Sequence, residues 1–467
     1  MPHMASAFGS VRAGLLFLFR RVIGIYFRDV EVAGDLPLRE TGGRVFAANH
    51  VNALVDPILV LTQAACPISP VAKSTLWKIP GLAWLLDAAD AVPIVRKRDD
   101  PTKTAKDNDA IFERVGAHLA KRGNILIFPE GTSHNEPHLL ALKSGAGRML
   151  ARAKDDGGTG LTFQAVALEF DAREVFRSRT LVLFGPVRSV DEVSAAAPGV
   201  DLAQAITERI REDLSELLVE GSTWEERVLL VRAAEMFANG DPAEPAPAES
   251  TSLAQMNELG RRIEAARRVL HASAPEVIVD LETRVASYWT ALDDVGASDE
   301  LVVRHTRRSL SRGAGVEVGI EPAGSVERAA WAALRFLTLP LAVVGMILYW
   351  LPYQLPRAIT RRLHGDADVT STYKLGIGLL VHPLWAVIAI TFAFLALDAP
   401  SAALAAAVVL TSPFAALPWL DRWDRLASRV TLLGPPEDRQ ARLVALAADR
   451  AALMKDLETA RIKAFGA

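Results

Sequence analysis

The sequence predicts an α/β domain, in which a mixed sheet is flanked by helices, followed by a C-terminal helical membrane region. Between about residues 31 and 235, short β-like runs alternate with helical patterns, as expected where helices pack on a sheet. After residue 329, three apolar stretches each approach the roughly 20 residues that a helix needs to cross hydrocarbon. The 467 residues also exceed what one hydrophobic core usually organises, so two or three units are expected.

Composition narrows the classes of function. Half of the residues are hydrophobic and the mean hydropathy is +0.20, a modest excess that is concentrated locally. The formal net charge of −3 provides no basic field, so no nucleic-acid partner is expected. The single cysteine, Cys66, excludes an internal disulfide framework and a multi-cysteine metal site.

The predicted sheet comes from short apolar runs between helical patterns. The strand candidates are Arg44–Ala48, Val92–Val95, Ile125–Phe128, Phe163–Leu168 and Thr180–Phe184. A helix is predicted over 109–122, with Gly123 as its C-cap. Two amphipathic helices are predicted to follow, over about 201–219 and 223–238. We therefore expect residues 31–239 to form the α/β domain.

Residues 1–30 are predicted to form a helix that lies in the membrane interface. Leu15 to Phe19 are all large and apolar, and arginines stand at positions 12, 20, 21 and 28. Such a helix places its apolar side in lipid and its arginines toward lipid phosphates. An ordinary packing helix at the domain edge is the alternative. No cleavable signal peptide is predicted, because no small-residue cleavage site follows the apolar run.

The chain beyond residue 239 is predicted to contain four segments. Residues 240–252 are rich in proline, alanine and acidic residues, which is typical of a solvated linker. Residues 253–328 form a charged helical region, residues 329–425 contain the membrane segments, and residues 426–467 form a charged amphipathic helix.

The three membrane candidates are Phe336–Leu355, Leu375–Leu397 and Ala402–Leu420. Basic residues predominate in the loop between the first two, which is typical of a cytoplasmic loop. This loop contains Arg357, Arg361, Arg362 and Lys374 against Asp366 and Asp368. If the α/β domain is also cytoplasmic, the proline-broken first segment should enter the bilayer and return rather than cross it. A buried soluble helical core is the alternative for all three segments.

The first candidate for chemistry is His50 with Asp56, directly after a predicted strand. A neutral imidazole can take a proton from a hydroxyl at pH 7, and a carboxylate on its other nitrogen would fix the tautomer. On a regular helix, residues six apart lie about 120° from a common face. The spacing therefore predicts a non-helical turn between the two side chains. A histidine with a purely structural role is the alternative.

Two later blocks can bind an anion. Phe128–Ser133 follows a predicted strand, at a turn where backbone N–H groups can face a phosphate. There Gly131 permits close approach, Thr132 can donate to phosphate oxygens, and Glu130 can accept from a hydroxyl. Arg96 follows the predicted strand Val92–Val95 and is suited to bidentate phosphate binding, although the next two residues are also basic. A polar turn and a solvated basic loop are the alternatives.

In this order the three blocks resemble those of the glycerolipid acyltransferase superfamily. The hallmark of that family is a His-x4-Asp motif, followed by an arginine block and a Phe-Pro-Glu-Gly-Thr block. Here five residues, Val51 to Val55, separate the histidine from the aspartate. This longer form is similar to the branch of fungal glycerol-3-phosphate and dihydroxyacetone-phosphate acyltransferases, and the resemblance covers roughly residues 20–240. Asp90 and Ala165 depart from the family's common glycine and proline, which leaves the shape of the acceptor pocket open.

The resemblance implies roles for the candidate residues. His50 would be the catalytic base and Asp56 its orienting partner, and the acceptor would be bound by Arg96, Glu130, Gly131 and Thr132. The implied reaction moves a fatty acyl group from acyl-CoA or acyl-carrier protein to a hydroxyl of glycerol-3-phosphate, dihydroxyacetone phosphate or lysophosphatidic acid. The enzyme would work at membrane lipid, with its catalytic domain on the cytoplasmic side, and no metal or organic cofactor is implied.

Two other classes of protein are alternatives. One is a non-catalytic lipid-binding or scaffold protein built on the same fold. The other is a membrane-associated hydrolase, which would need a serine or cysteine nucleophile or a water-activating metal site that we do not find in the sequence.

Overall fold

The structure is a computed structural model that describes residues 2–95, 109–244, 251–313, 325–363, 366–431 and 437–465. Contacts divide the chain into two compact units. The first comprises Met1–Arg227, Ser252–Arg261 and Asp366–Thr372. The second comprises Val228–Thr251, Arg262–Gly365 and Tyr373–Ala467. The segment boundaries predicted from composition stay predictions.

A seven-stranded mixed sheet forms the centre of the first unit, as the predicted fold class requires. Its strands are β1 (Asp29–Gly34), β2 (Arg44–Ala48), β3 (Ser69–Lys73), β4 (Val92–Ile94), β5 (Asn124–Ile127), β6 (Thr162–Phe170) and β7 (Arg179–Ser189). Their order across the sheet is β1-β7-β6-β2-β5-β3-β4. All neighbours are parallel except β6 and β7, which are antiparallel. All five predicted strands are present, and β1 and β3 were not predicted.

Helices cover both faces of this sheet. They are α1 (Pro2–Tyr26), α2 (Val55–Gln63), α3 (Leu82–Ala88), α4 (Asp109–Ala120), α5 (Gly145–Asp155), α6 (Val190–Ala196) and α7 (Leu202–Leu217). A short 3-10 helix covers Ser74–Lys78, and α8 (Trp224–Asn239) begins in the first unit and continues into the second. Alternate residues of the central strands, such as Val45, Ile125 and Phe163, are fully buried in one core that also contains residues of α4, α5 and α7. Burial of both faces explains why these strands are almost continuously apolar.

The end of α4 differs from the prediction. Arg122, and not Gly123, has the left-handed conformation, with φ of 64°. Gly123 donates its N–H to the carbonyl of His118 at 2.8 Å, and a Cβ atom at Gly123 would lie 2.1 Å from His118 Nε2. The glycine therefore provides space for the His118 ring rather than a positive φ.

Two of the arginines in α1 donate hydrogen bonds to backbone carbonyls elsewhere in the first unit. Arg12 Nη2 donates to the carbonyl of Ile68 at 2.5 Å, and Arg20 Nε donates to the carbonyl of Thr62 at 2.8 Å. On the same helix, Phe17 and Leu18 are more than half exposed. The apolar exposure is compatible with a lipid surface, and the interfacial role of residues 1–30 stays a prediction.

The second unit is helical in its described residues. Its elements are α9 (Leu253–Ser273, which begins in the first unit), α10 (Pro275–Val295), α11 (Asp299–Gly313), α12 (Ser325–Leu348), α13 (Trp350–Leu363), α14 (Ala367–Ala396, whose first residues belong to the first unit), α15 (Ala399–Thr431) and α16 (Glu437–Phe465). By length and composition, α14 and Ala399–Asp421 of α15 can each cross a membrane. Leu337–Leu348 and Trp350–Leu363 meet at a 42° bend, and they provide a third crossing only if the bent pair is a single span.

A buried ion pair connects helices of the second unit. Arg450 on α16 donates to both carboxylate oxygens of Asp299 on α11, at 2.7 and 3.1 Å. Asp299 also accepts from the Tyr288 hydroxyl of α10 at 2.7 Å, and Arg450 donates to the carbonyl of Met236 in α8 at 2.7 Å. Burial, and next the charge of Asp299, raise the pKa of Tyr288. Buried charges are stable only when they are paired and hydrogen-bonded, and these contacts meet that need for Arg450 and Asp299.

The bend between α12 and α13 depends on a proline. Pro352 has no N–H, so the carbonyl of Leu348, four residues earlier, lacks its helical donor. Trp385 of α14 donates its indole N–H to this carbonyl at 3.0 Å. In hydrocarbon, water cannot replace a missing donor, so a side chain from a neighbouring helix has to provide it.

A second proline is compensated in the same way. Pro413 in α15 removes the helical donor to the carbonyl of Val409, and the Tyr349 hydroxyl donates to that carbonyl at 3.0 Å. Tyr349 stands at the bend itself, between α12 and α13. The bend is thus bonded to both apolar helices, α14 and α15. The predicted entry and return of the proline-broken segment stays a prediction.

Replacing Trp385 by phenylalanine should destabilise the second unit. Phenylalanine keeps the aromatic ring but leaves the Leu348 carbonyl without its indole donor. Hydrogen bonds between membrane helices contribute about 0.5–1.5 kcal/mol, and we expect a loss of that size. Unfolding titrations in detergent would measure it, with Trp350→Phe as the matched control, because Trp350 is 62% exposed. Equal losses in the two variants would contradict the role of the indole N–H.

Candidate active site

The candidate residues lie at one edge of the sheet. Strand β2 pairs in parallel with β5 and with β6, so the carboxyl ends of these three strands share that edge. His50 follows β2, the block Phe128–Ser133 follows β5, and Asp171–Arg173 follow β6. Open α/β sheets commonly bind ligands outside the carboxyl ends of their parallel strands.

His50 and Asp56 are in contact. His50 Nδ1 lies 2.9 Å from Asp56 Oδ2, and the same oxygen accepts the N–H groups of Val51 and Asn52 at 2.8 and 2.7 Å. Residues 50–54 are not helical and α2 begins at Val55, so the predicted turn between the two side chains is confirmed. Since Asp56 occupies Nδ1, the other ring nitrogen, Nε2, is the one that can take a proton.

The residue before His50 is fixed to the sheet. The buried side chain of Asn49 donates to the carbonyl of Leu168 at 3.1 Å and accepts its N–H at 2.7 Å. Asn49 therefore continues the β2–β6 ladder with its side chain after the backbone pairing ends at Ala48 and Val166. No local pattern in the sequence indicates this contact, because the partner of Asn49 is 119 residues away.

The backbone of His50 is bonded to the Phe128–Ser133 block. Its N–H donates to Glu130 Oε1 at 2.7 Å, and its carbonyl accepts the N–H of His134 at 3.1 Å. The other oxygen of Glu130 accepts the N–H of Leu140 at 3.0 Å and contacts the His134 ring. The His50 ring also stacks on Phe128, with centroids 4.1 Å apart. Two blocks separated by 80 residues thus meet at the histidine.

The other predicted acceptor residues form a turn with a cation beside it. Gly131 has φ of 74°, and a Cβ atom there would lie 2.3 Å from the ammonium nitrogen of Lys143. Thr132 Oγ1 donates to the carbonyl of Ser133 at 3.2 Å. Only a glycine allows Lys143 to lie this close to the turn. Arg96, the remaining predicted residue, lies outside the described residues.

A cavity of about 390 Å³ adjoins the histidine loop. Asn49, Val51 and His134 line one part of it, and Arg173 and Trp224 line another, but His50 does not. Arg173 Nη1 donates to the carbonyl of Val51 at 2.7 Å, so a half-buried cation bonds to the loop directly. Burial lowers the pKa of the Arg173 guanidinium, and the charges of Glu174, Asp56 and Asp368 oppose this. Arg173 was not a predicted site residue.

Comparison with known proteins identifies this region. The family model described as Acyltransferase matches residues 29–169, which include β2, the histidine loop and the Phe128–Ser133 block. These residues are an acyltransferase domain of the glycerolipid superfamily. The acyltransferase domain thus contains His50, Asp56, Glu130, Gly131 and Thr132, in agreement with the resemblance found in the motifs.

Relatives of the acyltransferase domain are named for different acceptors. The chain is 29% identical over 142 residues to a lyso-ornithine lipid O-acyltransferase of Pseudomonas aeruginosa. This alignment covers 30% of the chain and 48% of the relative. The chain is also 36% identical over 86 residues to glycerol-3-phosphate O-acyltransferase 2 of Saccharomyces cerevisiae. That alignment covers 18% of the chain and 12% of the relative. Yeast glycerol-3-phosphate acyltransferases are therefore among the relatives, which supports the predicted resemblance to the glycerolipid acyltransferase superfamily. Each match spans about half of the relative or less.

A solved structure was also compared with the chain. It is the 1-acyl-sn-glycerophosphate acyltransferase PlsC of Thermotoga maritima, which aligns with a TM-score of 0.33 and 17% identity over 46% of this chain and 83% of that one.

Proposed function

We propose that the chain transfers a fatty acyl group from a thioester to a hydroxyl of a glycerol phosphate or a lysophospholipid. The contact between His50 Nδ1 and buried Asp56 carries this proposal. The acceptor hydroxyl gives its proton to His50 Nε2 while its oxygen attacks the thioester carbonyl, and the thiolate leaves. Asp56 keeps the ring in the required tautomer and stabilises the imidazolium that forms.

The acceptor phosphate is assigned to the turn after β5. The exposed Lys143 ammonium lies beside Gly131, and the Thr132 hydroxyl is available to donate after a small rotation. Arg96 completes this site in the proposal. Binding the phosphate here would place the hydroxyl of the same molecule near the His50 ring, because Glu130 fixes the turn to the His50 backbone.

The catalytic domain is proposed to face the cytoplasm. The basic residues predicted to form a loop lie in helices: Arg357, Arg361 and Arg362 are in α13, shortly before α14 begins. A basic segment of this kind next to an apolar helix stays cytoplasmic. The residues that follow it, Asp366–Thr372, belong to the same unit as the acyltransferase domain. Since both are part of one unit, they lie on the same side of the bilayer.

The proposal can be tested with purified protein and labelled acyl donors. Acyl-CoA and acyl-carrier protein would each be supplied with glycerol-3-phosphate, dihydroxyacetone phosphate, lysophosphatidic acid or a lyso-ornithine lipid. We expect acylation of at least one acceptor, with the phosphate-containing acceptors preferred because of Lys143. No acylation with any pair would favour the non-catalytic lipid-binding protein instead.

Replacing Glu130 by glutamine should lower kcat about tenfold and leave the KM for the acceptor within about twofold. Glutamine can still accept the His50 N–H, but its amide would face the N–H of Leu140, a conflict that costs about 1–3 kcal/mol. Steady-state kinetics would measure both constants, with the exposed Glu113→Gln as control. A raised KM with unchanged kcat would show instead that Glu130 binds the acceptor directly.

A further inference from the structure

The first residues of α14 belong to the unit that contains the acyltransferase domain. From the sequence, Asp366–Thr372 is only the end of a loop and the start of an apolar segment. In the structure, Ser371 is fully buried and Asp368 is 6% exposed. Polar side chains at the start of an apolar helix are usually solvated, so their burial requires bonding partners.

Two hydroxyl groups of α14 form hydrogen bonds with other segments of the first unit. Thr372 Oγ1 accepts the N–H of Leu54 at 3.1 Å, across 318 residues of sequence. Ser371 Oγ donates to the carbonyl of Arg173 at 2.6 Å. Arg173 in turn donates to the carbonyl of Val51 at 2.7 Å. Both ends of the turn between His50 and Asp56 are therefore bonded, directly or through Arg173, to one helix.

The turn needs such support. Its residues 51–54 make no regular structure, and Ala53 has a positive φ of 37°, which is unfavourable for a residue with a side chain. Leu54 precedes α2, where backbone N–H groups lack helical partners. Without the Thr372 hydroxyl, the Leu54 N–H loses its acceptor and the strained turn is free to relax.

We propose that Ser371 and Thr372 are positioning residues for His50 and Asp56. Through them, the start of α14, a helix long and apolar enough to cross a membrane, sets the geometry of the catalytic pair. This inference rests on the proposed acyl transfer, and it goes beyond it by assigning a part of the active site to a helix outside the family match. The covalent continuity of α14 from Ala367 to Ala396 then ties the active-site turn to an apolar helix.

Variants at position 372 test this with matched side chains. Thr372→Val keeps the shape and removes the hydroxyl, while Thr372→Ser keeps the hydroxyl. We expect Thr372→Val to lower kcat about tenfold with an unchanged KM, and Thr372→Ser to stay within about twofold of the wild type. Ser371→Ala should behave like Thr372→Val. Thr370→Val is the control, because among the described residues the Thr370 hydroxyl donates to the carbonyl of Asp366, which directly precedes α14.

Hydrogen–deuterium exchange provides a readout that does not depend on activity. In the full-length protein in detergent, Thr372→Val should speed exchange in a peptide covering residues 50–55 by about tenfold and leave peptides from β5 and β6 unchanged. Identical exchange and identical kcat for Thr372→Val and Thr372→Ser would overturn the inference. If the wild type acylates no acceptor, the proposed function fails, and the exchange experiment still decides whether α14 holds the turn.

Discussion

Replacing His50 by alanine should reduce the rate of acyl transfer by about 10²–10⁴-fold, the usual contribution of a general base. The structure offers a reason to expect the upper part of this range. Asp56 and Phe128 hold the ring in one orientation, and the backbone of His50 is bonded on both sides. A ring fixed in this way loses little entropy when it takes the proton, so it contributes a large rate enhancement. Removing the ring should therefore lose most of that enhancement.

The measurement is a single-turnover assay with a saturating acyl donor and the preferred acceptor. The exposed His271→Ala variant is the matched control, since it removes an imidazole from α9. Binding of the acceptor to the His50→Ala variant should stay close to that of the wild type, because the proposed phosphate site is on the turn after β5. Acylation at the wild-type rate by His50→Ala would disprove the mechanism.

Local patterns explain what the sequence predicted correctly. The six-residue spacing of His50 and Asp56 does not fit one helix face, so a turn followed from helix geometry alone, and the structure has it. The apolar runs Arg44–Ala48 and Ile125–Phe128 predicted buried strands because both faces of the sheet are covered. These features depend on residues close together in sequence.

Two strands could not be predicted for a tertiary reason. β1 contains Asp29 and Glu31 and lies at the edge of the sheet, where β7 is its one neighbour among the described strands. β3 contains Pro70, which argues against a strand between two others, yet it pairs with both β4 and β5. In each case the partner strand, and not the local composition, makes the segment a strand.

The support of the active site was hidden for a related reason. Asn49, Arg173 and Thr372 each bond to a residue more than a hundred positions away. Nothing about an asparagine, an arginine or a threonine in isolation indicates which distant backbone group it will meet. The sequence therefore indicated His50 and Asp56 as the candidate catalytic pair, whereas the residues that hold them in place became visible only in the fold.

Replacing Asp56 should separate the charge of the carboxylate from its hydrogen bonds. Three donors, His50 Nδ1 and the N–H groups of Val51 and Asn52, converge on Oδ2. The other oxygen, Oδ1, is buried without a hydrogen-bond partner in the part of the chain that the structure describes. An asparagine can therefore put its carbonyl oxygen in the place of Oδ2 and keep all three bonds, with only the negative charge removed.

We expect Asp56→Asn to lower kcat by about 10²-fold and Asp56→Ala by about 10³-fold or more. In Asp56→Asn the two backbone N–H groups require the oxygen at the Oδ2 position, so the amide cannot turn and impose the wrong tautomer on His50. Asp56→Ala loses both the charge and the three bonds, and its unpaired N–H groups should also cost about 1–3 kcal/mol each in the free energy of unfolding.

Kinetics and thermal unfolding of the two variants, measured together, distinguish these effects. If Asp56→Asn were as slow as Asp56→Ala and lost a similar part of its stability, the amide would have turned away from the two backbone N–H groups, and the tautomer of His50 would be the dominant factor. If Asp56→Asn were as fast as the wild type, the imidazolium would need no counter-charge, and Asp56 would act only as the bond acceptor that shapes the turn. The intermediate rate is the one expected when a buried carboxylate both orients the base and stabilises the charge that develops on it.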